Sequence, residues 1–247
     1  MDIFQAGFLG LVQGLTEFLP VSSSGHLVLI QKLMPNFSQP GIVFDVLLHF
    51  GTFFAVIIYF NKKILKLSSK YWQYIAIGSV PAVIAGVLLK DIFEGMFRAG
   101  TFLLLEFLIS GVLNLLVDQP AKKEKPLGMS NSFIIGISQA VSIVPAISRS
   151  GTTIFTGVKL GIKKEEVAQF SFLLSLPAIL GANLLEIISH KSEIANFISI
   201  NYFIGFFVAF VVGLVSIKLV YKFLEMNKFK YFGYYCILMG IVSLIIK

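Results

Sequence analysis

The chain has 247 residues, 56% of them hydrophobic and 13% charged, with a mean hydropathy of +0.87. A soluble domain carries about 25% charged residues, so this composition excludes one and marks an integral membrane protein. The net charge of +7 comes from lysines in short stretches between apolar runs, which suits topology and anionic lipid and argues against nucleic acid; the single cysteine, Cys236, excludes an internal disulfide and a cysteine-based metal centre.

The first segment, residues 1–30, is apolar but broken in its middle by "TEFLPVSSSGH". Glu17 and the serines interrupt the run and no basic stretch precedes it, so it does not read as a signal peptide. Lipid cannot satisfy broken backbone, and such a segment must be buried in protein or line a wet cavity. It is read as a re-entrant helix–loop–helix hairpin, the alternative being an ordinary span with a proline kink. Apolar runs follow near 41–60, 71–89 and 100–117. A second broken segment, 131–157, reads as a second re-entrant hairpin. Runs near 167–188, 200–222 and 231–246 then complete six spans, each near the roughly 17–25 residues that cross about 30 Å of hydrocarbon.

The loop "NKKILKLSSK" carries Lys62, Lys63, Lys66 and Lys70, and "DQPAKKEKP" carries Lys122, Lys123 and Lys125. Lys159, Lys163 and Lys164 lie before the fourth run, and Lys218, Lys222, Lys228 and Lys230 lie near 218–230, from the end of the fifth run to the start of the sixth. Six alternating spans place all of these on one side, which the positive-inside rule makes the cytoplasm. The loops at 90–99 and 189–199 and the C-terminus then face outward.

Shifted by 126 residues, the chain aligns with itself. Gly10, Gln13, Ser22, Ser24 and Gly25 fall on Gly136, Gln139, Ser148, Ser150 and Gly151, and "FDVLLHFG" falls on "FSFLLSLP". The run at 41–60 goes inward and its counterpart at 167–188 goes outward, so the halves are inverted. The expected fold is an all-α integral membrane protein, an inverted-topology repeat with six transmembrane helices and two re-entrant hairpins. It forms a single domain: repeat 1 over about 1–117, a cytoplasmic linker over about 118–130 and repeat 2 over about 131–247. Such repeats place a ligand site near mid-membrane, but they are frequent in transporters and name no reaction.

The chemistry concentrates in "VSSSGH" (21–26) and "ISRSGTT" (147–153). Each sets small hydroxyl residues and a glycine before a fresh helical run, the arrangement of an anion site at a helix N-terminus. Ser22, Ser23, Ser24 and Gly25 in one loop, and Ser148, Ser150, Gly151, Thr152 and Thr153 in the other, are candidate anion-binding residues. The bland alternative is that the hydroxyls cap helices. Arg149 adds a permanent charge with a planar fork suited to phosphate. Glu17 could bind a divalent cation, orient His26 or activate a nucleophile, and His26 could serve as general acid or base. His49, within a span, and His190, in an outer loop, read as structural. Asp45, Glu106, Asn114, Asn183 and Glu186 are unranked polar residues in apolar runs. Taken together, the groups suit phosphoryl transfer, where positioning and charge stabilisation carry most of the catalysis.

These residues resemble the undecaprenyl-diphosphate phosphatase, or bacitracin-resistance protein, family. Its first signature is matched by "QGLTEFLPVSSSGH" and its second, P-G-x-S-R-S-G-x-T, by "PAISRSGTT"; "FSFLLSLPA" also looks like the family. The resemblance implies a plasma-membrane phosphatase that removes the terminal phosphate of a polyprenyl diphosphate, recycling the lipid carrier of cell-wall synthesis. It implies a site open to the outer face, dependence on Mg²⁺ or Ca²⁺, and catalytic roles for Glu17, Ser23, His26 and Arg149, with Ser23 a candidate nucleophile. Gln13 stands at the first acidic position, leaving one carboxylate of a pair and the metal count open. Ala146 replaces the glycine after Pro145. Isoprenoid length, attack by Ser23 or by water, and oligomeric state, a homodimer included, stay open. The rival readings are a transporter or flippase for an anionic or lipid-phosphate substrate, and a structural membrane subunit.

Overall fold

The computed structural model describes residues 1–34, 43–89, 92, 95, 103–119, 124–144, 146–189 and 200–246. Pro145, His190, Lys122, Lys123 and most of the expected outer loops at 90–99 and 189–199 lie outside the described residues. Among the described residues the chain forms helices and no strand: α1 (Ile3–Thr16), α2 (Ser23–Leu33), α3 (Val43–Tyr59), α4 (Asn61–Ile64), α5 (Ser69–Leu88), α6 (Leu103–Val117), α7 (Met129–Val141), α8 (Arg149–Lys159), α9 (Lys164–Ser189), α10 (Ile200–Glu225) and α11 (Lys230–Ile245).

Side chains start the helices where the sequence offers them. At the head of α1 the Asp2 carboxylate accepts from the Gln5 N–H at 2.8 Å, and the Asp2 N–H donates to Gln5 Oε1 at 3.0 Å. Ser68 caps α5. At 1.5 Å per residue, the 20 residues of α5 and the 26 each of α9 and α10 reach about 30–39 Å, and these three helices are long and apolar enough to cross a membrane. The apolar helices α1, α3, α6 and α11 are shorter. Two differences from the sequence reading appear at the lysine-rich end. The expected loop at 61–70 contains the short α4, and α5 begins at Ser69 rather than near 71.

Both broken segments are two helices joined by a turn: α1 and α2 across residues 17–22, α7 and α8 across 142–148. Helices α1 and α3 lie against α10, while α7 and α9 lie against α5. Helix α6 packs along α11, α3 touches α9, and α8 is held among α6, α7 and α9. The approaches of α1 to α10 and of α7 to α5 use the same device. A Cβ on Gly10 would collide with the backbone oxygen of Gly205, and one on Gly136 with that of Gly78, so glycine lets the backbones meet.

Polar contacts gather the lysine-rich stretches at one end of the bundle. Lys63 Nζ donates to Gln169 Oε1 at 2.8 Å, Lys159 Nζ to Gln119 Oε1 at 3.2 Å and Lys164 Nζ to Asn227 Oδ1 at 2.6 Å. Apolar side chains such as Phe4, Val83, Ile84, Leu185, Phe203, Phe207 and Leu238 stand exposed around the bundle, a belt a soluble monomer does not carry.

Candidate active site

The two turns meet, and they are built alike. The Ser22 hydroxyl caps α2 by accepting from the Gly25 N–H at 3.3 Å, and the Ser148 hydroxyl caps α8 by accepting from the Gly151 N–H at 3.2 Å. Ser22 and Ser24 hydroxyls stand 3.4 Å apart, Ser148 and Ser150 hydroxyls 3.3 Å. The second serine of each pair crosses to the other hairpin. The Ala146 N–H donates to Ser24 Oγ at 3.2 Å, and Ser150 Oγ donates to the Leu19 carbonyl at 3.3 Å.

Helices α6 and α11 brace this junction. Ser110 Oγ donates to the Ala146 carbonyl at 3.3 Å and accepts from the Ser148 N–H at 2.9 Å, while the Asn114 amide donates to the Pro20 carbonyl. From α11, Cys236 Sγ donates to the same Pro20 carbonyl at 3.6 Å. The glycines of the two loops serve the same packing. A methyl on Gly25 would stand 2.8 Å from Ala146 Cβ, and one on Gly151 would stand 3.2 Å from Pro20 Cβ. Ser22 (φ 71°) and Ala146 (φ 58°) hold left-handed backbone, which is why glycine is at home where Ala146 sits.

Where the turns cross, the charged groups converge on Glu17, which closes α1. Its Oε1 accepts from Arg149 Nη2 at 2.7 Å. Its Oε2 accepts from the Ser23 hydroxyl at 2.7 Å and from Gln13 Nε2 at 3.1 Å. His49 Nε2, reaching in from α3, is 3.9 Å from the same Oε2. Arg149 Nη1 also donates to the Ser171 carbonyl at 3.3 Å, which commits two of the five guanidinium N–H donors. The pair is nearly dry, with side chains 7% and 15% exposed, so each charge depends on the other.

The structure therefore joins Gln13, Glu17, Ser23 and Arg149 directly and brings His49 beside them. The other candidates stand differently. His26 lies among Ser22, Tyr235 and Phe107: Nδ1 is 2.6 Å from the Ser22 carbonyl, Nε2 is 2.7 Å from the Tyr235 hydroxyl, and the two rings stack at 5.5 Å. Thr152 Oγ1 donates back to the Ser148 carbonyl at 2.6 Å, and Thr153 Oγ1 is shared between the Arg149 carbonyl and Ser171 Oγ. Ser171, Ser110 and Asn114 are site supports that the sequence reading left out or unranked. Only the four-residue spacing of Ser110 and Asn114 on α6 hinted at a shared face. Asn183 donates to the Val46 carbonyl at 3.4 Å, an interhelical bond between α9 and α3.

Comparison with known proteins places the chain. The family described as bacitracin resistance protein BacA matches residues 6–242. An undecaprenyl-diphosphatase of Carboxydothermus hydrogenoformans is 39% identical over 257 residues, covering 100% of this chain and 98% of the relative. One from Methanococcus vannielii is 40% identical over 93% of this chain and 94% of its own length. Undecaprenyl-diphosphatase 4 of Bacillus cereus is 36% identical over 100% of this chain and 98% of its own.

Proposed function

The chain belongs to the bacitracin resistance protein BacA family, and from that premise we propose that it is a multi-pass membrane phosphatase hydrolysing a polyprenyl diphosphate to the monophosphate and inorganic phosphate. One observation carries the reading: the Ser23 hydroxyl donates to Glu17 Oε2 at 2.7 Å while Arg149 holds Glu17 Oε1 at 2.7 Å. A hydroxyl, a base and a guanidinium within one hydrogen-bonded group are the parts that phosphoryl transfer needs.

In this mechanism Glu17 takes the proton of Ser23 as its Oγ attacks the terminal phosphorus. The bond to the bridging oxygen breaks, and the polyprenyl monophosphate leaves with that electron pair. Glu17 passes the Ser23 proton to the departing monophosphate; water then attacks the phosphoserine phosphorus and gives a proton to Glu17, which returns it to Ser23 Oγ as inorganic phosphate leaves. The three uncommitted N–H donors of Arg149 hold the phosphoryl oxygens, and the N-termini of α2 and α8, which begin at the two turns, favour the anion. Ser22, Ser148, Gly25 and Gly151 shape the turns, Ser24 and Ser150 tie them together, and Thr152 and Thr153 secure the first turn of α8. His26 keeps the Ser22 end of the serine turn in place from its pocket against Tyr235.

The donor set suits a divalent cation such as Mg²⁺ or Ca²⁺. Gln13 Oε1 is buried with no hydrogen-bond partner, beside the carboxylate that its own amide nitrogen donates to. Among the described residues no group of three or more His, Cys, Asp or Glu side chains stands ready as a cage. Mg²⁺ in particular is commonly held by one or two carboxylates and takes its remaining ligands from phosphate and water. Gln13 and Glu17 would hold it, and when bound it would neutralise charge on the diphosphate.

The same reading takes the molecule as an inverted repeat of six spans and two re-entrant hairpins, with the site open to the outer face of the plasma membrane. The matching helix partners, the paired glycine contacts and the two like-built turns support the repeat. Purified protein in detergent, supplied with undecaprenyl diphosphate and Mg²⁺ or Ca²⁺, should release inorganic phosphate. No release from isoprenoid diphosphates of any length would overturn the reading and favour a transporter.

A further inference from the structure

Two histidines lie close to the hairpin turns, and their surroundings differ. His26 is 3% exposed, with a carbonyl on one ring nitrogen and a tyrosine hydroxyl on the other. It has no ring nitrogen left for a substrate or for Glu17. His49 is held by one hydrogen bond to its own helix and faces Glu17 with its other ring nitrogen. Nδ1 is 2.8 Å from the Asp45 carbonyl one turn back on α3, and Nε2 faces Glu17 Oε2 at 3.9 Å. Its side chain is 29% exposed against 7% for Glu17, so it stands on the open side of a nearly closed centre.

Resting on the phosphatase reading, we infer that His49 is a positioning residue for the hydrolysis and supplies to this centre the imidazole that the sequence motif would assign to His26. Arg149 holds one oxygen of Glu17, and the other must receive the Ser23 proton. A diphosphate bound by the three free donors of Arg149 pulls on the same guanidinium, and a carboxylate held through Oε1 could pivot away from Ser23. His49, with the Gln13 amide, keeps the Oε2 side in place while Arg149 binds the phosphoryl group with its free donors. Its own orientation does not depend on substrate, because the Asp45 carbonyl belongs to the helix that carries the ring.

The test is steady-state phosphate release by the purified full-length protein with undecaprenyl diphosphate and Mg²⁺, comparing wild type, His49→Phe and His49→Gln. Loss of alignment at a reacting group lowers turnover by up to about 10²-fold. His49→Phe should lower kcat by about 10- to 100-fold with KM within about twofold, and His49→Gln, which keeps an N–H donor, should recover most of it. Wild-type kcat in His49→Phe, or a His49→Gln as slow as His49→Phe at unchanged melting temperature, would overturn the inference and leave the phosphatase reading intact. Should His49→Phe fail to fold, His49→Ala with added imidazole replaces it: restored turnover supports the role, and no restoration refutes it. A wild-type protein that releases no phosphate refutes both.

Discussion

Glu17 and Arg149 lie 132 positions apart in sequence, yet they meet at 2.7 Å as the most buried ion pair of the described residues, each supplied by a different hairpin. Neither hairpin can complete the centre alone. Removing one partner strands the other charge in a dry site, which costs about 3–5 kcal/mol. Arg149→Met and Glu17→Gln should each lower the melting temperature in detergent, and the double variant should lose less than the two single losses combined. Additive losses would show that the residues are not coupled.

Arg149→Lys separates charge from shape. A lysine keeps the positive charge but cannot reach Glu17, the Ser171 carbonyl and a phosphoryl group together. Phosphate release should fall about 10²-fold in kcat/KM, a loss typical of removing an oriented donor from a transition state. Activity within about threefold of wild type would reduce Arg149 to a point charge.

Ser23 and Ser24 are neighbours with different duties. Ser23→Ala removes the hydroxyl on Glu17 and should lower kcat by about 10³-fold or more. A substantial residual rate would assign the attack to water. Ser24→Ala withdraws the acceptor of the Ala146 N–H, and an unsatisfied buried donor costs about 1–3 kcal/mol, read as a lower melting temperature.

Tyr235→Phe tests His26 as a strut. The change leaves the buried Nε2 of His26 without its partner and should destabilise the protein by about 1–3 kcal/mol. The accompanying fall in kcat/KM should stay under about tenfold, because the Glu17 contacts are untouched. Loss of activity at an unchanged melting temperature would instead place His26 in the chemistry.

Ala146 is held at φ 58° with its methyl packed over Gly25. Ala146→Gly relieves about 1–2 kcal/mol of left-handed strain but forfeits roughly 0.8 kcal/mol of buried methyl and adds chain entropy, so its melting temperature should barely move. Ala146→Val puts a β-branched residue where it is disfavoured and should destabilise by about 2 kcal/mol or more.

Much of this was legible in the sequence because it is local or repeated. Composition marked the membrane, and the breaks at "TEFLPVSSSGH" and "SIVPAISRS" marked where helices end. Self-alignment through Ser22, Ser24, Gly25 and their counterparts led to one crossing point for both turns. Pairings that depend on approach between distant elements were not legible. Nothing in "FDVLLHFG" distinguishes a histidine facing lipid from one facing Glu17, since both occur at the same place along α3. Nor could a hydroxyl count say which serine donates where. Six hydroxyl candidates are committed to backbone or to each other as caps and cross-ties, and Ser23 alone turns to the carboxylate.

The separation of Glu17 from Arg149 also sets a schedule. A chain made from its N-terminus at about 5–20 residues per second presents Glu17 on the order of ten seconds before Arg149 exists. During that interval the carboxylate lacks the guanidinium that pairs with it in the folded protein, so leaving it charged in lipid is costly. Formation of the Glu17–Arg149 pair is thus a late event in biosynthesis, and a chain that ends before residue 149 cannot form it.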